Sequence, residues 1–109
     1  MSEGTGYAVV LVTASSIDEG QKIAKAVLER RLAACANLIP GVRSLFWWEG
    51  KLEDAEEVLM VLKTKEEAVP QLIDEVKRLH SYTVCEVISL PVSAGNAAYL
   101  DWIEETVSP

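Results

Sequence analysis

The chain has 109 residues, 17 acidic against 10 basic, a formal charge of −7, and 50% apolar residues. That length suits one domain with one core, burying roughly 65% of its unfolded surface, and the acidic balance argues against a nucleic-acid partner, whose phosphates call for basic patches. The apolar share stands at the upper end of the usual range of about 45–50%, which leans toward a subunit interface.

The first apolar run, Tyr7 to Ala14, follows Glu3 and no basic residue, so it does not read as a signal peptide. It is also too short to span a bilayer, which takes roughly 20 residues. No membrane and a cytoplasmic location are therefore expected. The two cysteines, Cys35 and Cys85, are too far apart for a CxxC pair and fit that compartment as free thiols.

Tyr7 to Ala14 (YAVVLVTA) is continuously apolar and β-branched, a strand buried on both faces. Ser16 and Glu19 have the spacing of a capping box. Ile23, Ala24, Val27, Leu28 and Leu32 then fall at helical spacing, and Arg30-Arg31 suits the negative end of that helix. Ala34 to Ile39 reads as a strand, broken or bulged at Pro40-Gly41 and extended again over Val42 to Trp48. Glu49-Gly50-Lys51 is a tight turn. Leu52 to Glu57 prolongs a projecting hairpin, and Val58 to Leu62 is a strand apolar on both faces.

Thr64 and Glu67 repeat the capping-box spacing ahead of a second helix, with Pro70 in its first turn and a stripe of Val69, Leu72, Ile73, Val76 and Leu79. His80-Ser81 ends it. Val84 to Val92 is a fourth strand, and Asn96 caps a short final helix carrying Tyr99, Trp102 and Ile103. The order β-α-β-β-α-β plus a terminal helix predicts an α+β, ferredoxin-like split βαβ fold over residues 1–109. Its antiparallel sheet carries both main helices on one face. The other face is then bare although the strands are apolar on both sides, and a second subunit is the natural cover. Phe46-Trp47-Trp48 makes the same point, since adjacent strand residues leave opposite faces.

The motifs RLAACANLIPG, SLFWWEGK, EVLMVLKT and EVISLPVSAGNAAYLDW closely resemble the CutA divalent-cation tolerance family, from about Val9 to Trp102. The resemblance implies a compact homotrimer with sheets packed about a three-fold axis, similar in architecture to PII-type nitrogen-regulatory signal proteins. It also implies a non-enzymatic part in tolerance of copper or another divalent metal. Some family members hold copper through a Cys and adjacent His residues. Val12 stands at that Cys position and Leu79 at the first His, which leaves His80 as the metal-ligand candidate. The family pattern H-P-Y-E-x-P-E appears as His80-Ser81-Tyr82-Thr83-Val84-Cys85-Glu86, without its two prolines and first Glu.

No cofactor follows from the residues themselves. One His and two Cys are few for a closed zinc or copper site. His80 and Cys85 share a short loop with no third group to orient them as base and nucleophile, and no phosphate loop or dinucleotide fingerprint occurs. Trp48, Lys63, Tyr82 and Glu86 are the candidates to line a ligand cleft between subunits. Two further readings follow: a PII-like sensor taking a small anionic ligand or nucleotide there, and an interaction scaffold, since an animal member of the family is linked to anchoring an enzyme in membranes.

Overall fold

The computed structural model describes residues 4–109. Residues 1–3, Glu3 among them, lie outside the described residues. The elements run β1 (Tyr7–Ala14), α1 (Ile17–Glu29), β2 (Cys35–Trp48), β3 (Lys51–Lys65), a 3-10 turn (Glu66–Ala68), α2 (Val69–Leu79), β4 (Val87–Pro91) and α3 (Ala97–Thr106). The four strands form one antiparallel sheet in the order β2-β3-β1-β4. This is the expected ferredoxin-like arrangement.

Strand alternation sorts the sheet into two unlike faces. Ala8, Val10, Val12 and Ala14 of β1 are wholly buried, as are Met60 and Leu62 of β3. All of these but Ala8 pack with Ile23, Ala24 and Val27 of α1 and Leu72 and Val76 of α2 to make the main core. Directly opposed residues of an antiparallel pair share a face. The register therefore puts Val9, Leu11 and Thr13 with Lys63, Val61 and Leu59 on the other side, joined by Leu90 and Ile88 from β4 and by Cys35, Asn37 and Ile39 from β2. Helix α3 covers only one end of this second face. There Ile103 and Val107 pack with Tyr7, Ala34 and Ala68, and Glu104 receives Lys65 at 2.8 Å and the Tyr7 hydroxyl at 3.2 Å.

The β2–β3 hairpin outruns the helices. Its two-residue turn places both Glu49 (φ 50°) and Gly50 (φ 78°) in the left-handed region, the conformation that matches the twist of the strands it joins. The ladder is interrupted once, between Ile39 and Val42, where Pro40-Gly41 forms the expected bulge. The radius of gyration is 14.3 Å, against about 13 Å for a compact chain of this length; the projecting hairpin accounts for the excess. Phe46 and Trp48 leave one of its faces and Trp47 the other, as alternation requires. Neither face reaches the helices, however, and Trp47 is 73% exposed.

Three local expectations change. The strand expected over Val58 to Leu62 is the inner part of one continuous β3, because cross-strand pairing with β2 carries it back to Lys51. The fourth strand begins at Val87 rather than Val84: its ladder with β1 stops at Val12–Val87, and the next carbonyl of β1, that of Thr13, is taken by the His80 ring. Thr64 caps nothing. It is a buried strand residue whose hydroxyl donates to the Leu32 carbonyl at 2.6 Å, and the helical turn starts instead after Lys65. That bond fixes the α1–β2 connection, where Arg31 ends the helix at φ 59°. Arg30 goes beyond its expected dipole role: it meets the buried Glu75 carboxylate at 2.6 Å, which Arg78 also holds at 2.8 Å.

Replacing Thr64 by Val keeps the shape but strands a buried carbonyl, so Thr64→Val is expected to cost about 1–3 kcal/mol. A lower urea midpoint at an unchanged m-value checks it; Thr64→Ser, which keeps the donor, is expected to lose less.

Candidate functional site

Residues 80–86 cross from the end of α2 to β4 and are pinned over their first three residues. The His80 ring is fully buried. Its Nε2 lies 2.7 Å from the Thr13 carbonyl, and its Nδ1 accepts the Tyr82 backbone N–H at 3.0 Å. A carbonyl can only accept, so Nε2 carries the proton and Nδ1 offers its lone pair to Tyr82. The ring also stacks at a tilt on Tyr82, with centroids 4.8 Å apart. Glu19, in the first turn of α1, reaches across and accepts the Ser81 backbone N–H at 2.7 Å.

Glu19 thus does more than cap its helix. The Ser16 hydroxyl accepts the Glu19 N–H, as a capping box requires, but the Glu19 carboxylate returns to Ser15, taking its N–H at 3.0 Å and its hydroxyl at 2.8 Å. Burial alone would push this carboxyl up. The hydrogen bonds from Ser15 and Ser81 outweigh it and hold the group down at about 2.

These anchors set Tyr82 against the hairpin. Its hydroxyl donates to Glu57 Oε2 at 2.9 Å. Burial, then the bond to Glu57 and the charges of Glu57 and Glu19, push the phenol up to about 12, so it remains a donor. Between loop and hairpin lies a cleft of about 640 Å³, whose lining includes Thr13, Trp48, Glu57, Tyr82 and Glu86. A second hollow of about 340 Å³ adjoins it, sharing Phe46, Trp48, Tyr82 and Val84 and adding Glu53. Arg43 also borders the larger hollow, but Asp54 pairs with it at 2.9 Å.

Of the residues expected to line a cleft, Trp48, Tyr82 and Glu86 come together. Lys63 does not. It sits opposite Val9, toward the α3 end of the bare face, bonded to Asn37 Oδ1 and 3.9 Å from Cys35 Sγ. His80 is near the cleft but turned away from it, and both of its ring nitrogens are engaged within the protein. In this structure His80 holds the loop, with Nε2 on the Thr13 carbonyl and Nδ1 on the Tyr82 N–H. Val12 and Leu79, at the family's other ligand positions, pack in the main core. Among the described residues no three His, Cys, Asp or Glu side chains converge to hold a metal ion. Phe46, Glu53 and Glu57 were not anticipated. Glu57 carries one legible signal: it shares strand parity with Leu59 and Val61, which puts a carboxylate on an apolar face.

Comparison with known proteins gives the same answer in sequence and in shape. Residues 8–106 match the family model described as CutA1 divalent ion tolerance protein. The chain belongs to that family. It is 47% identical to the divalent-cation tolerance protein CutA of Archaeoglobus fulgidus over 90% of this chain and 95% of that one. The Thermus thermophilus protein of the same name is 46% identical over 89% and 94% of the two chains. The human protein CutA is 46% identical over 94% of this chain and 60% of its own length. Among solved structures, that of the periplasmic divalent cation tolerance protein CutA from Archaeoglobus fulgidus superposes with a TM-score of 0.91 at 45% identity, covering 94% of this chain and 99% of that one. The Oryza sativa CutA1 structure gives 0.92 at 38% identity, covering 98% of each.

A carboxyl held at about 2 in the folded chain and near 4.5 when free stabilises the fold fully above pH ~4.5 and loses that contribution as pH falls through about 2. Urea midpoints measured from pH 6 down to pH 2 are expected to fall across this window. Glu19→Gln is expected to be less stable at pH 6 by about 1–3 kcal/mol and to show a flatter decline.

Proposed function

We propose that this protein is a non-catalytic homotrimer serving divalent-cation tolerance in the cytoplasm, with copper the first cation to test. The observation that carries the assembly is the bare sheet face. Val9, Leu11, Leu59 and Val61 run along it, and Ile39, Ile88 and Leu90 are 45%, 50% and 48% exposed. A contiguous apolar surface of this kind on one side of a sheet marks an interaction surface, and three is the number of copies that the family resemblance supports. The tolerance role rests on membership of the family. Unpaired Cys35 and Cys85 suit a reducing compartment, and among the described residues no helix is long and apolar enough to cross a membrane. Because the His80 ring is engaged internally, copper held by the protein has to be held elsewhere than on that ring.

Sedimentation is expected to give three times the mass of one chain at micromolar concentration. Ile88→Asp is expected to change the stability of an isolated chain by less than about 0.5 kcal/mol, as a surface substitution does, and to break the assembly by burying unpaired charge at its interface. A monomeric wild-type protein, or an Ile88→Asp variant that sediments unchanged, would refute the interface. Copper content after dialysis tests the metal: none retained would remove copper as a bound cation, and loss of copper in His80→Ala would contradict the engaged ring.

A further inference from the structure

Covering the bare face leaves two charges unmatched. Glu57 lies on that face at 6% exposure, with the Tyr82 hydroxyl as its one hydrogen-bond donor among the described residues. Lys63 lies on the same face, half-buried, and its ammonium meets the Asn37 side-chain carbonyl and, at 3.9 Å, the Cys35 sulfur. Among the described residues neither has a partner of opposite charge. The other buried charges do: Glu75 has two arginines, and Lys65 has Glu67 and Glu104. Glu57 and Lys63 cannot meet within one chain, because six residues of β3 set them about 20 Å apart. In a lone chain Lys63 is partly hydrated and Glu57 borders an open cleft. A second copy seated on the face excludes that water, and an ion buried without a counter-ion is strongly unfavourable.

We propose that Glu57 of each copy takes the Lys63 ammonium of the next, so that an ion pair made by two chains fills the cleft at every interface. The pair rests on the trimer proposed above. In a closed ring of three the interfaces are heterologous: one patch of a copy meets a different patch of its neighbour. The bare face carries two such unlike patches. Glu57 and Glu86 line one hollow and Glu53 the adjoining one, while Lys63 stands toward the opposite end. One contact, repeated around the ring, matches both charges in every copy. The cleft wall also suits a lysine. Phe46, Trp48 and Tyr82 offer apolar surface to its four-carbon stem and aromatic faces to its ammonium. Lys51, the other lysine that the register puts on this face, is exposed beside the hairpin turn and stays hydrated without a partner. Arg43 beside the hollow is matched by Asp54. A metal ion on Glu57 fits less well, since it would leave Lys63 buried and unmatched, and no three acidic, thiol or imidazole groups converge to hold it among the described residues.

Dissociation of the assembly on dilution, followed by sedimentation, tests the pair. Glu57→Gln keeps the shape and an acceptor for Tyr82. It and Lys63→Gln are each expected to raise the dissociation concentration by about tenfold or more, as loss of one member of a buried charge pair does. The double variant is expected to stay within about threefold of the weaker single one, because both substitutions remove the same contact. Losses that multiply to about a hundredfold mark two independent sites and overturn the pair. Should Glu57→Gln fail to fold, Lys63→Met leaves Glu57 and its bond to Tyr82 in place and is expected to show the same tenfold loss; an unchanged dissociation concentration in that variant overturns the proposal. A carbodiimide, which joins an amine directly to a touching carboxylate, is expected to link Glu57 of one chain to Lys63 of another in peptides from the band of doubled mass. A Glu57 linked to a different lysine of the second chain also overturns it. A monomeric wild-type protein refutes the trimer and the pair together, whereas a stable trimer whose Lys63→Met variant holds as tightly refutes the pair alone.

Discussion

A four-stranded sheet has two faces, and this chain has long helices for only one of them. Helices α1 and α2 both lie over the side that carries Val10, Val12, Met60 and Leu62, and α3 reaches one end of the other side. Everything distinctive about the molecule follows from that shortage. The uncovered strand residues stay apolar, the hairpin that continues them has no helix to lie on, and its aromatics are left standing in solvent. Covering this surface with other copies of the chain is the simplest way to remove so much apolar area from water, and it requires no residue beyond those already aligned by the register.

The second organising contact is smaller. Glu19 ties the start of α1 to Ser81, and His80 ties the same loop to the end of β1 through Thr13. Together they hold Tyr82 against Glu57 without the prolines that stiffen this segment in the family's usual pattern. Hydrogen bonds here take over from restricted backbone freedom. Proline acts by limiting the unfolded chain, whereas these hydrogen bonds act on the folded one, and the Glu19 carboxylate makes the arrangement sensitive to acid.

The fold was legible because each of its signals was local and strong. The continuous apolar run of Tyr7–Ala14 and the period-3.6 stripes of Ile23–Leu28 and Leu72–Leu79 mark the elements of the core, and Pro40-Gly41 and Glu49-Gly50 mark the bulge and the turn. The errors came where a long-range partner outranks a local pattern. Thr64 and Glu67 have the spacing of a cap, but pairing of β3 with β1 extends the strand to Lys65 and turns the Thr64 hydroxyl to Leu32. Residues 84–86 look extended, but the His80 ring takes the Thr13 carbonyl of β1 and the ladder stops at Val87. The site was harder to read for the same reason. Tyr82, Trp48 and Glu86 are chemically conspicuous, so they were found. Glu57 resembles any polar hairpin residue until the register shows which face it occupies. Lys63 looked equally eligible, and only the register removes it to the far end of the sheet. His80 was noticed for its chemistry, whereas its burial and its two backbone partners depend on how α2 meets β1.

Both outer strands of the sheet, β2 and β4, contain a proline. Pro40 sits in the middle of β2, inside the bulge, and Pro91 closes β4. An outer strand of fourteen residues would otherwise present a long row of free backbone donors and acceptors, the template on which chains add to one another without limit. The missing N–H and the local kink divide that row into two short pieces that do not lie in line. A molecule that must expose apolar strands in order to assemble is thereby restricted in how it can do so: growth by endless strand addition is interrupted, while association that closes on itself remains open.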